Sequence, residues 1–324
     1  MSFAQVPGHE AAKEIMKKAI RNERISHAYL LAGKDGIGKK ALAEQFARAI
    51  FCPKKETDSC DSCLVCRKIE HGNHPDLKLI RGETIKIDQI RDLQKEIAYK
   101  PYESNRKVYI IENADRMTPQ AANSLLKTLE EPPSYAIIIL LAAEVSRLLP
   151  TIVSRCQRIN LAVVPREEIK RYLLDNKIEP EKAELFSRLA AGSPGRALEL
   201  VEDEDFLKKR SYLLEFLQKI QRLNTVDIFA SSEKMEEFMN GDFPVFDLLS
   251  TWYRDIMLYR NNSENLIINH DYLEIIKEQA RLYTQRELQG IIKLLAEYEE
   301  YIERNIRMDL VFEVMLLKIR GKRV

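Results

Sequence analysis

Four cysteines are clustered in the first third of the sequence, and they are Cys52, Cys60, Cys63 and Cys66. Thiolates are preferred ligands of Zn²⁺, and four of them complete a tetrahedral structural site that has no open position for catalysis. The cluster therefore predicts one structural zinc ion that stabilises a surface loop without a core of its own. Free reduced thiols and a redox pair are the alternatives. His71 and His74 follow closely, but four thiolates need no further ligand.

A glycine-rich segment over residues 33–40 matches the phosphate-binding pattern Gly-x-x-x-x-Gly-Lys. In such a loop the backbone N–H groups close around phosphate oxygens, the following helix adds its dipole, and the lysine reaches the terminal phosphates. The candidate nucleotide-binding residues are Gly33, Gly36, Gly38, Lys39 and Lys40. A glycine turn without a ligand is the alternative. Ser or Thr normally ends the pattern because its hydroxyl ligates Mg²⁺, and the ammonium of Lys40 cannot do so.

The acidic motif that should accompany this loop is also altered. An active ATPase of this class carries Asp-Glu after a buried strand, where the Asp holds Mg²⁺ and the Glu polarises the attacking water. This chain has Glu112-Asn113, and Asn113 has no carboxylate to serve as a base. Together with Lys40, this change predicts a site without hydrolysis and leaves open whether it still binds nucleotide.

Composition narrows the class of protein. The sequence has 51 Lys and Arg against 50 Asp and Glu, so a strongly basic nucleic-acid binder is not expected. A hydrophobic fraction of 45% is ample for folded cores. The longest apolar run, Ala136–Ala143, is far shorter than the ~20 residues that span a bilayer. The N-terminal segment has no apolar signal region, so we expect a cytoplasmic protein without a membrane partner.

Two kinds of segment are expected to position these residues. Strand-like segments alternate with helix-like segments up to about residue 160, and the strand-like segments are Ala28–Ala32, Leu77–Ile80, Val108–Ile111, Ala136–Leu141 and Arg158–Leu161. This alternation predicts an α/β domain with a parallel sheet covered by helices on both faces. Strand signals stop at Pro165, and after Pro244 only Gly290 and Gly321 interrupt the helical spacing. The second half of the chain is therefore predicted to be helical.

Four strings in the sequence are specific enough to indicate a family, and they are Ile25–Leu30, Ala121–Pro133, Leu149–Cys156 and Gly192–Ala197. Together they resemble the AAA+ subunits of bacterial clamp loaders. The resemblance covers roughly residues 5–200. It implies a P-loop domain over residues 1–164 with a zinc insertion at about 52–66, a helical lid over 165–204, and a helical collar domain for oligomerisation over 205–324.

The resemblance also implies roles for two arginines. Arg155, in the Ser-Arg-Cys string, would act in trans as an arginine finger at the ATP site of a neighbouring subunit. A planar, permanently charged fork suits this role because it grips γ-phosphate oxygens and stabilises the transition state. A surface ion pair is the alternative. Arg196 would be the second sensor of the chain's own degenerate nucleotide site, with a structural ion pair as the alternative.

The implied partners are those of a clamp loader. The gamma/tau ATPase subunits of the family keep the loop threonine and the acidic pair, both of which this chain lacks. The resemblance therefore implies a silent subunit that works with the gamma/tau and delta subunits, the sliding clamp and primer-template DNA. Its cofactors would be structural zinc and the ATP of a neighbour. The alternatives are an active clamp-loader ATPase and a zinc-ribbon protein that binds nucleic acid.

Overall fold

The computed structural model describes residues 2–54, 56–241, 243–304 and 306–321. The chain divides into two compact units. The first unit contains the residues up to Ala183 together with Ala190–Leu198. The second contains Glu184–Leu189 and the residues from Glu199 onward.

The first unit carries all five strands of the described chain. Its elements are α1 (Glu10–Arg21), β1 (Ala28–Ala32), α2 (Lys39–Phe51), α3 (Leu64–Glu70), β2 (Leu77–Ile80), α4 (Ile87–Ile97), β3 (Lys107–Ile111), α5 (Pro119–Glu130), β4 (Ala136–Ala142), α6 (Pro150–Val153), β5 (Gln157–Asn160) and α7 (Arg166–Asp175). Short 3₁₀ helices lie at Phe3–Gln5, Ala114–Arg116 and Val145–Arg147. Two helices, α8 (Pro180–Leu189) and α9 (Pro194–Glu202), contribute residues to both units.

The strands form one parallel sheet in the order β2-β3-β4-β1-β5. Each strand lies within one residue of its predicted bounds, and the predicted fold class of a parallel sheet flanked by helices is confirmed. Ala32 of β1 is opposite Ala142 of β4, and Ile111 of β3 is opposite Leu140 of the same strand. The carboxyl ends of these three neighbouring strands therefore meet at one edge of the sheet, where open α/β sheets bind ligands.

Two apolar layers hold the sheet, one on each face. Alternate residues of a strand point to opposite faces, so Leu31 packs in the layer with Phe46 of α2, whereas Leu30 packs in the layer with Leu125 of α5. Tyr29 adds an edge-to-face contact with Phe46 at a centroid distance of 5.1 Å. These side chains are fully buried, and burial of each large apolar side chain stabilises the fold by about 1.5–3 kcal/mol. The loops at the sheet edge are therefore anchored to a well-packed core.

The second unit is helical, as predicted. Its remaining elements are α10 (Phe206–Lys219), α11 (Thr225–Asn240), α12 (Val245–Arg260), α13 (Leu273–Gln279), α14 (Gln285–Glu303) and α15 (Met308–Arg320), with 3₁₀ helices at Ile220–Arg222, Glu264–Leu266 and His270–Tyr272. Trp252, Tyr253 and Phe312 are fully buried in its core. The predicted boundaries of the lid and collar domains stay predictions. Within the described ranges, no helix is long and apolar enough to cross a membrane.

The second unit also contains a buried charge. Arg210 is only 2% exposed, and its guanidinium donates to both carboxylate oxygens of Asp271 at 2.6 and 2.8 Å. It also donates to the side-chain oxygen of Asn269 at 2.7 Å. The Asn269 amide in turn donates to Asp255, which is fully buried. This network links α10 to the segment before α13, and a buried charge needs such partners.

Candidate functional site

The phosphate loop has the backbone that the sequence predicts. It connects β1 to α2, and the Gly33 N–H donates to the carbonyl of Ala142 at 3.1 Å. Gly36 and Gly38 adopt φ angles of 69° and 106°. Residues with a side chain rarely adopt this left-handed region, so glycine is required for the turn into the helix. Lys39 is the first residue of α2.

The ammonium of Lys39 is bonded to the loop itself. It donates to the carbonyl oxygens of Gly33 and Lys34 at 2.6 and 3.0 Å, and to the carboxylate of Asp35 at 3.1 Å. An ammonium has three N–H donors, so these three acceptors account for all of them. A phosphate would have to displace at least one of these acceptors to bind Lys39.

Lys40 forms an ion pair at the position where an active ATPase binds Mg²⁺. Its Nζ lies 3.1 Å from Oε1 of Glu112, the residue that follows β3. Nε of Arg81 lies 3.4 Å from the same oxygen. A carboxylate in the metal-ligand position therefore has cationic side chains as its partners. An ammonium at this distance opposes the approach of a second cation by direct repulsion.

The neighbouring Asn113 is bonded to the segment that follows β2. Its backbone is left-handed, with φ of 51°, and its side-chain amide donates to the carbonyl of Gly82 at 2.9 Å. Asp115 is 9% exposed and accepts hydrogen bonds from the backbone N–H groups of Ala143 and Glu144 at 3.1 and 2.8 Å. The carboxylate nearest the altered motif therefore ties β3 to the end of β4. The sequence indicated only that the motif was altered, and Asp115 carried no signal of this structural role.

The Gly192–Arg196 turn lies directly on the phosphate loop. The Gly195 N–H donates to the carbonyl of Gly36 at 2.8 Å, and a Cβ added to Gly36 would lie 2.3 Å from the hydroxyl of Ser193. That hydroxyl also accepts from the backbone N–H of Arg196 at 3.2 Å. Arg196 is thus placed beside the loop, as the second-sensor prediction requires of its backbone. Its function as a sensor stays a prediction.

His9 also contacts the phosphate loop, which the sequence did not indicate. It precedes α1, and its Nε2 lies 2.8 Å from the carbonyl of Ile37. Burial lowers the pKa of His9, so the neutral ring donates this hydrogen bond near pH 7. The sequence pattern shows only the start of a helix there and does not indicate the left-handed backbone of His9, whose φ is 63°.

Arg155 lies just after α6 with its guanidinium held at two points. Nη2 donates to the carboxylate of Glu130 at 2.7 Å, and Nη1 donates to the carbonyl of Thr151 at 3.0 Å. The Arg155 side chain is 35% exposed. The structure therefore contains the surface ion pair that was the alternative interpretation, and Glu130 is its partner. Cys156 is half-buried, and burial raises its pKa to about 12, so this thiol is protonated and unreactive.

The four clustered cysteines can hold a metal ion. Their sulfur atoms lie within 4.8 Å of one another, and all four are free thiols. A tetrahedral site with Zn–S bonds of about 2.3 Å needs sulfur separations of about 3.8 Å, so a small contraction would close the site. Hydrogen bonds from Ser62 lower the pKa of Cys60 to about 5, which favours a thiolate. Burial raises the pKa of Cys66 to about 12, so a bound dication would be needed to keep it ionised.

The cysteine-bearing loop is bonded to α2 and to the N-terminal segment. Cys52 follows the last residue of α2, and the carboxylate of Asp58 accepts from the backbone N–H of Phe3 at 3.1 Å and from the Gln45 amide at 2.9 Å. His74 is 3% exposed and stacks on the Phe51 ring at 4.5 Å. Neither His74 nor His71 joins the cysteine cluster within the described residues.

Comparisons with known proteins identify the family. Residues 8–165 match a family described as DNA polymerase III, delta subunit, and residues 204–321 match its C-terminal counterpart. The delta' subunit of DNA polymerase III from Bacillus subtilis is 32% identical over 312 residues, which are 95% of this chain and 94% of the relative. The chain belongs to the DNA polymerase III delta' subunit family. A delta' subunit from Pseudomonas aeruginosa is also 32% identical, over 72% of this chain and 73% of that protein.

Other members of the DNA polymerase III assembly are related to this delta' family chain. The tau subunit of Bacillus subtilis is 27% identical over 98% of this chain and 61% of its own length. A gamma subunit-related protein from Thermotoga maritima has the same fold, with a TM-score of 0.52 and 22% identity over 97% of this chain and 99% of that one. The resemblance to clamp-loader subunits that the sequence strings indicated is confirmed.

Proposed function

We propose that this chain is the delta' subunit of the DNA polymerase III clamp loader and has no ATPase activity of its own. The ion pair between Lys40 and Glu112 carries the proposal, because it places an ammonium on the carboxylate that an active site uses for Mg²⁺. The amide of Asn113, bonded to Gly82, supplies no base for the attacking water. The loop therefore lacks both an accessible Mg²⁺ ligand and a base for the attacking water, and ATP hydrolysis requires both.

The same chain would act at the ATP site of a neighbouring gamma/tau subunit through Arg155. A guanidinium has five N–H donors. Two of them bond Glu130 and Thr151, and the other three have no hydrogen-bond partner among the described residues. Three donors on a fixed plane are enough to grip phosphate oxygens as charge develops in the transition state. A finger of this kind needs no working site in its own subunit.

The four-cysteine cluster would hold one structural zinc ion. Its ligands would be Cys52, Cys60, Cys63 and Cys66. Four thiolates are a closed donor set that selects zinc among the common divalent ions and offers no position for a substrate. The ion would stabilise the insertion that ties the N-terminal segment to α2.

The remaining parts of the chain fit this role. We assign residues 1–164 to the P-loop domain, 165–204 to a lid and 205–324 to a helical collar through which the chain joins the gamma/tau and delta subunits. The complex, rather than this chain alone, would engage the sliding clamp and primer-template DNA in the cytoplasm. Arg196 would be the second sensor of the chain's own degenerate nucleotide site, where no ATP is hydrolysed.

Two measurements test the proposed function. The purified chain should hydrolyse no ATP above background, with Lys39→Ala as the control for contaminating activity. Magnesium-dependent turnover near ~1 s⁻¹ that Lys39→Ala abolishes would favour the alternative of an active clamp-loader ATPase. Reconstitution without this chain should lower both DNA-stimulated hydrolysis by the gamma/tau subunits and clamp loading. Full activity of an assembly that lacks the chain would contradict the proposal.

A further inference from the structure

Glu130 lies at the end of a helix whose position is firmly set. Thr118 caps the start of helix α5, where its hydroxyl oxygen accepts from the Ala121 N–H at 3.2 Å, and Pro119 is the first residue of the helix. Leu125 and Leu129 bury the helix against the sheet. Because the helix is anchored in this way, its last residue, Glu130, has a fixed position next to α6.

The two anchors of the Arg155 guanidinium come from different elements. Glu130 closes α5, whereas Thr151 belongs to α6, and they bond different terminal nitrogens of the same fork. Two bonds to separate nitrogens fix the plane of the group and not only its position. An arginine side chain has several rotatable bonds, so each anchor removes orientations that point the fork elsewhere.

The ion pair contributes little to stability, because the two side chains are 35% and 50% exposed. Pairs with this exposure are screened by water and have small effects on folding. The geometry instead supports an effect on the orientation of the guanidinium. The Glu130 carboxylate holds the group through one N–H of Nη2 and leaves the other N–H of that nitrogen available.

We propose that Glu130 is a positioning residue for Arg155. Its carboxylate holds the guanidinium so that the three remaining N–H donors face the ATP of the neighbouring subunit. This inference rests on the trans role of Arg155 proposed above. It also gives a function to the Leu-Glu-Glu-Pro-Pro string, which the proposed function otherwise leaves unexplained.

The test uses reconstituted clamp loader with Glu130→Ala, Glu130→Gln or the control Glu131→Ala, which removes the adjacent exposed carboxylate. The measured quantity is the part of the DNA-stimulated ATPase that Arg155→Ala abolishes. Glu130→Ala should lower this part roughly two- to five-fold, the scale of a half-exposed ion pair, through kcat and with KM unchanged. Glu130→Gln keeps an acceptor oxygen and should retain more activity than Glu130→Ala, and Glu131→Ala should match wild type.

The double variant separates positioning from a merely structural effect. If Glu130 acts through Arg155, Glu130→Ala adds nothing in an Arg155→Ala background. A further loss in the double variant, or a Glu130→Ala rate equal to wild type, would overturn the inference while leaving the finger intact. An Arg155→Ala assembly with full activity would refute the proposed function instead, and the role of Glu130 with it. Thermal unfolding of the Glu130→Ala and Glu131→Ala chains should coincide.

Discussion

Replacing Lys40 with threonine should restore magnesium-dependent nucleotide binding to the degenerate loop. The change removes the ammonium that pairs with Glu112 and supplies the hydroxyl that ordinarily ligates Mg²⁺ at this position. The lost ion pair costs the fold no more than about 1 kcal/mol, because the Lys40 side chain is 45% exposed. The variant should therefore fold as the wild type does.

The size of the effect follows from the 3.1 Å separation of the Lys40 ammonium and the Glu112 carboxylate. A Mg²⁺ ion on that carboxylate would lie roughly 4–5 Å from the ammonium. Two unit charges 4 Å apart repel by ~1 kcal/mol in water and ~4 kcal/mol near a protein surface, and the divalent ion doubles both figures. Lys40 is half-exposed, so we take the lower value of ~2 kcal/mol, which corresponds to about a 30-fold change in affinity.

The assay is titration of the isolated chain with a fluorescent ATP analogue, in magnesium and in chelator. Magnesium should leave the affinity of the wild type unchanged and raise that of Lys40→Thr by at least ~30-fold. Lys34→Thr is the matched control, since Lys34 is an exposed lysine of the same loop. A wild-type affinity that rises with magnesium as much as that of Lys40→Thr would refute the reasoning, as would a variant that gains nothing.

Two other predictions concern the metal centre and the helical unit. Metal analysis of chain purified without added zinc should give one zinc per chain, and Cys63→Ser should release it while circular dichroism shows an intact sheet; unchanged metal content would mean that the ligands are misassigned. Asp271→Ala leaves the buried Arg210 guanidinium with Asn269 as its hydrogen-bond partner among the described residues, and should lower the free energy of unfolding in urea by ~2–4 kcal/mol. We place this below the range for fully buried pairs because Asp271 is 39% exposed. A wild-type midpoint would show that water replaces the carboxylate.

The sheet was predictable because its signal is local. The three central strands, β1, β3 and β4, are runs buried on both faces, so each run and its strand have nearly the same bounds. The glycine pattern and the cysteine cluster are likewise fixed by short spacings. Helix α3, which follows Cys63 and contains Cys66, was not predicted, because its seven residues are too few to show a helical period.

The partners of the site residues could not be predicted, because they are remote in sequence. Arg155 and Glu130 are separated by 25 residues, and nothing in either string indicates which of the neighbouring carboxylates bonds the arginine. The pairing of Lys40 with Glu112 depends on the order of the strands, which places the end of β3 beside the phosphate loop only after folding. The sequence shows which groups are missing, whereas the structure shows which groups occupy their positions.

The measurement that tests the central claim most directly is DNA-stimulated ATP hydrolysis, with clamp loading, by clamp loader reconstituted with Arg155→Ala. Loss of a finger lowers the rate roughly 10³–10⁵-fold at the site that depends on it. The assembly should form normally and lose part of its total rate, since the other sites have fingers of their own, and clamp loading should fall further. Arg155→Lys should rescue little, because a point charge cannot reproduce the planar fork. An Arg155→Ala assembly in which both activities equal those of wild type would contradict the account.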